Sequence, residues 1–480
     1  MAEIYTDNMV VQCNKVLKIR GHAFPGDHIV VSFAGEERET FTCSDGTWCV
    51  VFPPLAPNSV GQTLSVRNGR HCLEYKNVLI GEVWLITGAS VMLMKLANGE
   101  SFQEELQNWD EQKMRGLSVR FFFKRETFKT IDMAWPVWVC KAINKYTLIT
   151  QPHWAIVNKE TAGEVPAYAY YHGKMLSEKL HVPVGLICNA VSGSPLESWV
   201  EHETLASEMP FLLEQGKENR YAIEGWKQTM AINIAASKIA RQKHYWHPSF
   251  CFESQIRSLD VFPIRGVLFG GFFWAGGIEN KLENLFALFV YGLRIHWGED
   301  LPVYYMQLGR WESFPVLPVL RDIQRKMERS ISGVKMVVSY DTFRKGVDRS
   351  FYHPYNRKDV GERFARLALY NIYGDTRMVP SGPLYHEALL RENFIYIKFF
   401  FSEGLTASDP HALEAFEVAG EDHCYRQAVA SIVNNEIVVK CPDSISEPLY
   451  IRYGWKEYIS SYIKNGAGIP LSTFEEKIEK

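Results

Sequence analysis

The sequence predicts an α/β protein with a mostly parallel sheet, flanked by N- and C-terminal β-rich regions. Three observations predict it. Short alternating apolar runs crowd residues 1–80. From Gly81 to about Gly374, apolar strand patterns alternate with longer helical stretches, as a parallel sheet with helices on both faces requires. After Gly374 strand patterns return, separated by polar loops.

The first region carries VLKIRG, HIVVSF, ETFTC, TWCVVF, TLSVR and CLEYKNVLI, with turn signals FPGD, AGEE, SDGT, PPLAPN and RNGR between them. Short strands at this spacing predict a small antiparallel β-sandwich over 1–80. Asp45-Gly46 is its sharpest hairpin signal.

The central region, 81–375, offers the strands GEVWLIT, LSVRFFF, HVPVGLICNAV, RGVLFGG, VYYMQL and VKMVVSY. Helices are expected at 167–179, 228–242, 281–297, 318–328 and 359–373, with insertions within 100–165 and 200–260. The last helix spaces Val360, Phe364, Leu367 and Tyr370 along one face. The third region, 376–480, supplies FIYIKFFF, EIVVKC and LYIRYGW.

Composition narrows the function classes. A net charge of −3 over 480 residues argues against a general nucleic-acid or membrane-surface role, and no apolar run reaches membrane-spanning length. Nine scattered cysteines without CxxC spacing offer neither structural zinc nor a disulfide framework and point to a reducing, intracellular (cytoplasmic) compartment. No secretory leader pattern follows Met1. The histidines of HYWHP (244–248) and FYHP (351–354) lack metal-ligand spacing. Gly270-Gly271 and Gly276-Gly277 lack phosphate-loop spacing. The basic stretch 325–329 reads as a solvated helix face.

The stretch GEVWLITGASVMLMK (81–95) organises the rest. It predicts a buried strand, a tight turn at Gly88, and the first turn of a helix. Ser90 at that corner reads either as a nucleophile at the carboxyl edge of a sheet or as a helix N-cap.

Several motifs together resemble the sialate O-acetylesterase family, a branch of the SGNH hydrolases. They are DNMVVQ (7–12), FPGD (24–27), DGTWCVVFPP (45–54), NVLIGEVWL (77–85), VPVGLI (182–187), SPLESW (194–199), LPVYYMQL (301–308), HPYNRKDVGERFARLAL (353–369), SGPLY (381–385), FEVAG (416–420) and IRYGW (451–455). They run collinearly over nearly the whole chain. The resemblance implies an SGNH-hydrolase-like three-layer domain between β-rich regions, and removal of O-acetyl groups from sialic acid or other sugars without metal or organic cofactor. Its chemistry is acyl transfer by a serine, a histidine, an orienting acid and amide donors.

The family's site motifs carry over unevenly. Gly-Gln-Ser-Asn-Met stands here as Gly88-Ala89-Ser90-Val91-Met92, so the nucleophile position is kept and both amide side chains are lost. Trp-Gly-Gly-Thr-Pro becomes Val191-Ser192-Gly193-Ser194-Pro195, leaving Gly193 as the surviving oxyanion glycine. In the third block the glutamine, glutamate, serine and asparagine become Gly271, Phe273, Trp274 and Ala275, and the rings Phe272-Phe273-Trp274 replace a polar wall. Asp-Ile-His-Pro becomes Phe351-Tyr352-His353-Pro354, which keeps the histidine and loses the acid. Asp341 and Asp348 are upstream substitutes for it.

An oxyanion donor is worth about 10²–10³ in turnover, and the orienting acid up to roughly 10⁴. The expectation is therefore a catalytically inactive or very weak family member, serving as an intracellular binding or structural-assembly component. A protein partner or large assembly suits the aromatic content of 13%, and a carbohydrate ligand suits the resemblance. The alternative is an active carbohydrate O-acetylesterase working through Ser90 and His353.

Overall fold

The computed structural model describes residues 1–479 apart from 70, 111–117, 127–132, 148, 214–223, 240, 260–261, 272–280, 311–313 and 344–353; of 123–126, 149–151 and 224–227 the backbone alone is described. The chain divides into two compact units, Met1–Val303 and Tyr304–Lys480.

The first unit begins with β1 (Val10–Gln12), β2 (Leu17–His22), β3 (His28–Phe33), β4 (Glu36–Phe41), β5 (Thr47–Phe52) and β6 (Asn58–Asn68). β2 pairs antiparallel with β5, while β3 pairs antiparallel with β4 and β6. The Asp45-Gly46 turn forms, with Gly46 at φ +83° and Asp45 accepting from the Thr47 amide. It does not close a β4–β5 ladder, because β5 pairs with β2 instead. The turn is where the chain changes sheets.

β7 (His71–Gly88) is the spine of this unit. Its first half runs antiparallel to β6 and meets β1 in parallel at Leu79–Gly81. It continues unbroken past residues 80 and 81 into the central sheet. There β7 pairs in parallel with β10 (Val184–Cys188) and β11 (Gly266–Gly270), and β10 pairs in parallel with β8 (Val119–Glu126). The order is β11-β7-β10-β8. β9 (Ile149–Ile156), which the sequence reading did not anticipate, is antiparallel to β8 at the edge. Its Pro152 hides the strand in the sequence, yet an edge position tolerates a missing N–H.

Register shows which face each helix covers. Trp84 lies opposite Leu186 and Gly266, and Thr87 lies opposite Phe269. Trp84 and Thr87 are three positions apart on the strand, so they point to opposite faces. The helix Ala167–Leu180 packs on the Trp84 face through His172, whose ring meets Trp84 edge-on at 4.6 Å, and through Gly173 over Leu186. The helix Leu282–Trp297 packs on the other face, where Phe289 lies 4.8 Å from Phe269. Glu224–Ile234 is shorter than the expected 228–242. Beyond it, Ser237 Oγ donates to Gln242 Oε1 and accepts from the Ile239 amide, which holds the chain in turns.

The second unit contains the strands Val303–Met306 (from its second residue) and Val334–Val337 and the helices Leu317–Ser330 and Arg357–Asn371. Asn356 caps the last by accepting from the Asp359 amide. Two four-stranded antiparallel sheets follow, with Ile395, Ile397, Val418, Ile451, Tyr453 and Phe474 in their shared core. The basic stretch 325–329 differs from expectation. Arg325 is buried, held by Asp322 at 2.7 Å and Glu476 at 2.6 Å, while Lys326 and Arg329 face solvent. Charge spacing alone does not reveal that acidic partners lie three residues upstream and in the last strand.

Candidate functional site

Ser90 sits where the central strand ends. Apolar residues Val83–Ile86 commit β7 to the core, and Gly88 at φ +111° breaks it. A Cβ on Gly88 would lie 2.1 Å from the Gly270 carbonyl oxygen, so the corner needs glycine for space as well as for conformation. The Ala89 amide donates to that same oxygen at 2.8 Å, tying the ends of β7 and β11 together. The chain then makes a 3-10 turn, Ser90–Leu93, followed by a second at Leu96–Asn98, instead of the expected α-helix. The N-cap position falls on Ala89, which has no side-chain acceptor, and Ser90 is the half-buried first residue of the turn.

The replaced positions close on one another. Ala89 and Val91 are buried. Gly271, at φ +101°, faces Ala89 so closely that a Cβ there would lie 2.3 Å from the Ala89 Cβ. A Cβ on Gly270 would lie 2.6 Å from Met92 Sδ and 3.0 Å from Val91 Cγ1. The turn after β7 therefore lies directly on Gly270-Gly271, and neither position accepts a side chain without moving it.

The second block joins the same corner. The Val191 amide donates to the Gly88 carbonyl at 2.8 Å. Ser194 Oγ donates to the Val191 carbonyl and accepts from the Trp199 indole, each at 2.8 Å. Between them Gly193 adopts φ +70°, and the Ser192 and Gly193 amides donate to no acceptor among the described residues. The bond from Val191 to Gly88 thus ties the turn that carries these amides to the corner that carries Ser90.

The sequence reading set aside HYWHP for want of ligand spacing, and its place in the fold is different. Trp246 lies against Gly193, its indole 3.0 Å from where a Cβ would stand. His244 is fully buried between Trp135 and Tyr245, with ring centroids 4.8 and 4.3 Å away. Its Nδ1 accepts from the Trp246 amide, so the proton resides on Nε2, which donates to Asn233 Oδ1 at 3.2 Å. Burial, and then the neighbouring His247, hold His244 neutral, and burial pushes His247 down to about 4. The loop is a rigid wall behind the Gly193 turn. Its aromatic density was the available signal.

Phe272, Phe273, Trp274 and Ala275, together with Asp348, Phe351, Tyr352 and His353, lie outside the described residues. In the second unit, Asp341 is engaged at both oxygens by Arg363, at 2.7 and 2.6 Å, and both side chains are buried. Asp341 thereby anchors a helix. Among the described residues no group of three His, Cys, Asp or Glu side chains is arranged to hold a metal ion, and no helix is long and apolar enough to cross a membrane.

No protein-family model matches the chain. It is 26% identical over 466 residues to the sialate O-acetylesterase of Mus musculus, covering 87% of this chain and 80% of that protein. It is 27% identical over 203 residues to the sialate O-acetylesterase of Pongo abelii, covering 39% of this chain; the match spans little more than a third, 36%, of that protein's length. A carbohydrate acetylesterase from Xanthomonas citri shares the fold, with a TM-score of 0.77 at 22% identity over 99% of each chain. The mixed sheet with its parallel strands and helices, the β-rich regions, and the match to the mouse protein over most of both chains support the sialate O-acetylesterase family for this chain.

Proposed function

We propose that this chain is an O-acetylesterase-fold protein whose acyl-transfer centre has been reduced to inactivity or near inactivity, and that it serves as an intracellular binding or assembly component. The observation that carries the reading is the closure of Ala89 onto Gly271. Two positions that hold glutamine in the family's motifs lie against each other here, and a side chain at 271 would run into Ala89. An SGNH-type three-layer arrangement, with regions 1–80, 81–375 and 376–480, is the matching reading of the fold. All nine cysteines are free, which supports a reducing compartment.

The test is hydrolysis of an aryl acetate and of an O-acetylated sialoside by the wild type and by Ser90→Ala. The expected result is no difference between them. A wild-type rate exceeding that of Ser90→Ala by about 10² or more would be the signature of a working triad, and the proposal would fall.

A second reading, a weak carbohydrate O-acetylesterase acting through Ser90 and His353, draws support from the uncommitted Ser192 and Gly193 amides beside the corner. It expects covalent labelling of Ser90 by a fluorophosphonate, lost on His353→Ala.

A further inference from the structure

We propose that a surface of the first unit, built from residues 133–147 and 228–243, docks on the anionic headgroups of a phospholipid bilayer, independently of whether the Ser90 corner turns over ester. The two segments read MAWPVWVCKAINKYT and QTMAINIAASKIARQK, with five Lys or Arg residues between them and no Asp or Glu. The chain as a whole carries −3, so this local excess of positive charge runs against the average. Docking of this kind is peripheral and needs no spanning helix.

The fold sets the two segments side by side. The Trp135 amide donates to the Asn233 carbonyl at 2.8 Å, and Asn233 Nδ2 donates back to the Met133 carbonyl at 2.9 Å. Further along both segments, Asn144 Oδ1 accepts from the Lys243 amide at 2.8 Å and from Gln242 Nε2 at 3.0 Å. The helix Val137–Asn144 buries Val139, Cys140 and Ile143 and turns Val137, Trp138 and Lys141 to solvent. Trp138 is 58% exposed and Met133 53%, and Val137 and Ile232 are exposed beside them in sequence. All four lie within three residues of the bond between Trp135 and Asn233. Lys141 follows Val137 and Trp138 by one helical turn, and Lys145 follows Lys141 by another.

The charges are uncommitted. Lys141, Lys145, Lys238 and Arg241 are exposed and have no ion-pair partner among the described residues, while Lys243 lies over the Tyr146 ring at 3.5 Å. Elsewhere in the same unit, Lys95, Lys174, Arg257 and Arg265 are each paired with a glutamate. Composition then separates a bilayer from an acidic protein. Four of the five cations are lysine. Protein interfaces are enriched in arginine and depleted in lysine, whereas an anionic leaflet attracts both alike. Lysine's long stem lets the ammonium reach the headgroups while neighbouring apolar side chains enter the acyl boundary. An indole suits that depth, with its ring in the apolar layer and its N–H among the headgroups.

The experiment is co-sedimentation of the full chain with vesicles of phosphatidylcholine alone, or of phosphatidylcholine with phosphatidylserine. Binding should require phosphatidylserine and fall as salt is raised, because the charges are exposed. Each Lys or Arg near an anionic bilayer is worth about fivefold in affinity, so Lys141→Gln with Lys145→Gln should weaken binding about 25-fold. Trp138→Ala should weaken it about tenfold through lost apolar burial. Lys18→Gln with Arg20→Gln, an exposed cationic pair on β2 outside this surface, should leave binding unchanged. All five side chains are exposed, and an unaltered urea midpoint checks that each variant keeps the fold. Equal loss in the two double variants would assign binding to overall charge and overturn the proposal. So would equal binding to phosphatidylcholine alone, or unchanged binding in both the lysine and the tryptophan variants. Capture of a polyglutamate peptide without binding to phosphatidylserine vesicles would assign the surface to an acidic protein instead, and the proposal would fall.

Discussion

His172 should make the first unit acid-labile, and the magnitude can be worked from its surroundings. The side chain is fully buried in the helix Ala167–Leu180, edge-on to Trp84, and both ring nitrogens lack hydrogen-bond partners among the described residues. Burial pushes its pKa down to about 3. An unfolded histidine titrates near 6.5. The folded pKa is depressed, so the unfolded state binds the extra proton as pH falls. The stability is fully present above pH 6.5 and is progressively lost between 6.5 and 3. At about 1.4 kcal/mol per unit, the two units between 6.5 and 4.5 amount to about 3 kcal/mol. His172→Leu keeps the apolar contact with Trp84 and removes the titration. Urea unfolding at pH 7.5 and pH 4.5 should show the wild type losing about 3 kcal/mol more than the variant over that interval. His244 and His247 contribute the same sign in both proteins and cancel in the comparison. Identical pH dependence in wild type and variant would mean that His172 is already protonated or solvated in the folded state, and the reasoning would fail.

Three further outcomes follow from the geometry. Gly88→Ala places a Cβ against the Gly270 carbonyl at a left-handed φ, and should cost about 3 kcal/mol or more, read as a lowered urea midpoint. Asp341→Asn leaves Arg363 buried without its counter-charge and should destabilise the second unit by about 3–5 kcal/mol, read by thermal unfolding; Asp341→Asn combined with Arg363→Met should recover part of that loss. Cys13 is buried, with its thiol donating to Glu82 at 3.2 Å, and burial followed by the Glu82 charge pushes it up to about 12, so it should stay unmodified by iodoacetamide at pH 8 while Cys72 reacts.

The central elements were legible because their signals are redundant. GEVWLIT, VPVGLIC and RGVLFG are continuous apolar runs ending in glycine or a polar residue, and each became a buried parallel strand. What escaped were features whose reason is tertiary. β9 mixes apolar residues with Thr150, Gln151 and His153, carries Pro152, and pairs with β8 at the sheet edge. The Asp45-Gly46 turn has strong local chemistry, but which strands flank it in a ladder is set by how the two N-terminal sheets pack. Local chemistry specifies a turn, and it does not specify a partner.

The corner itself was readable for the same reason that the region around it was not. Gly88 is required twice over, by φ and by the Gly270 oxygen, so its signature is unambiguous in sequence. The Gly193 turn depends instead on Trp246, which lies 53 residues downstream in a loop whose histidines lack metal-ligand spacing. His244 is spent orienting that loop, through its stacked rings and its bond to Asn233. There the packing belongs to a pair of distant segments, so a scan along the chain meets each half as unremarkable structure.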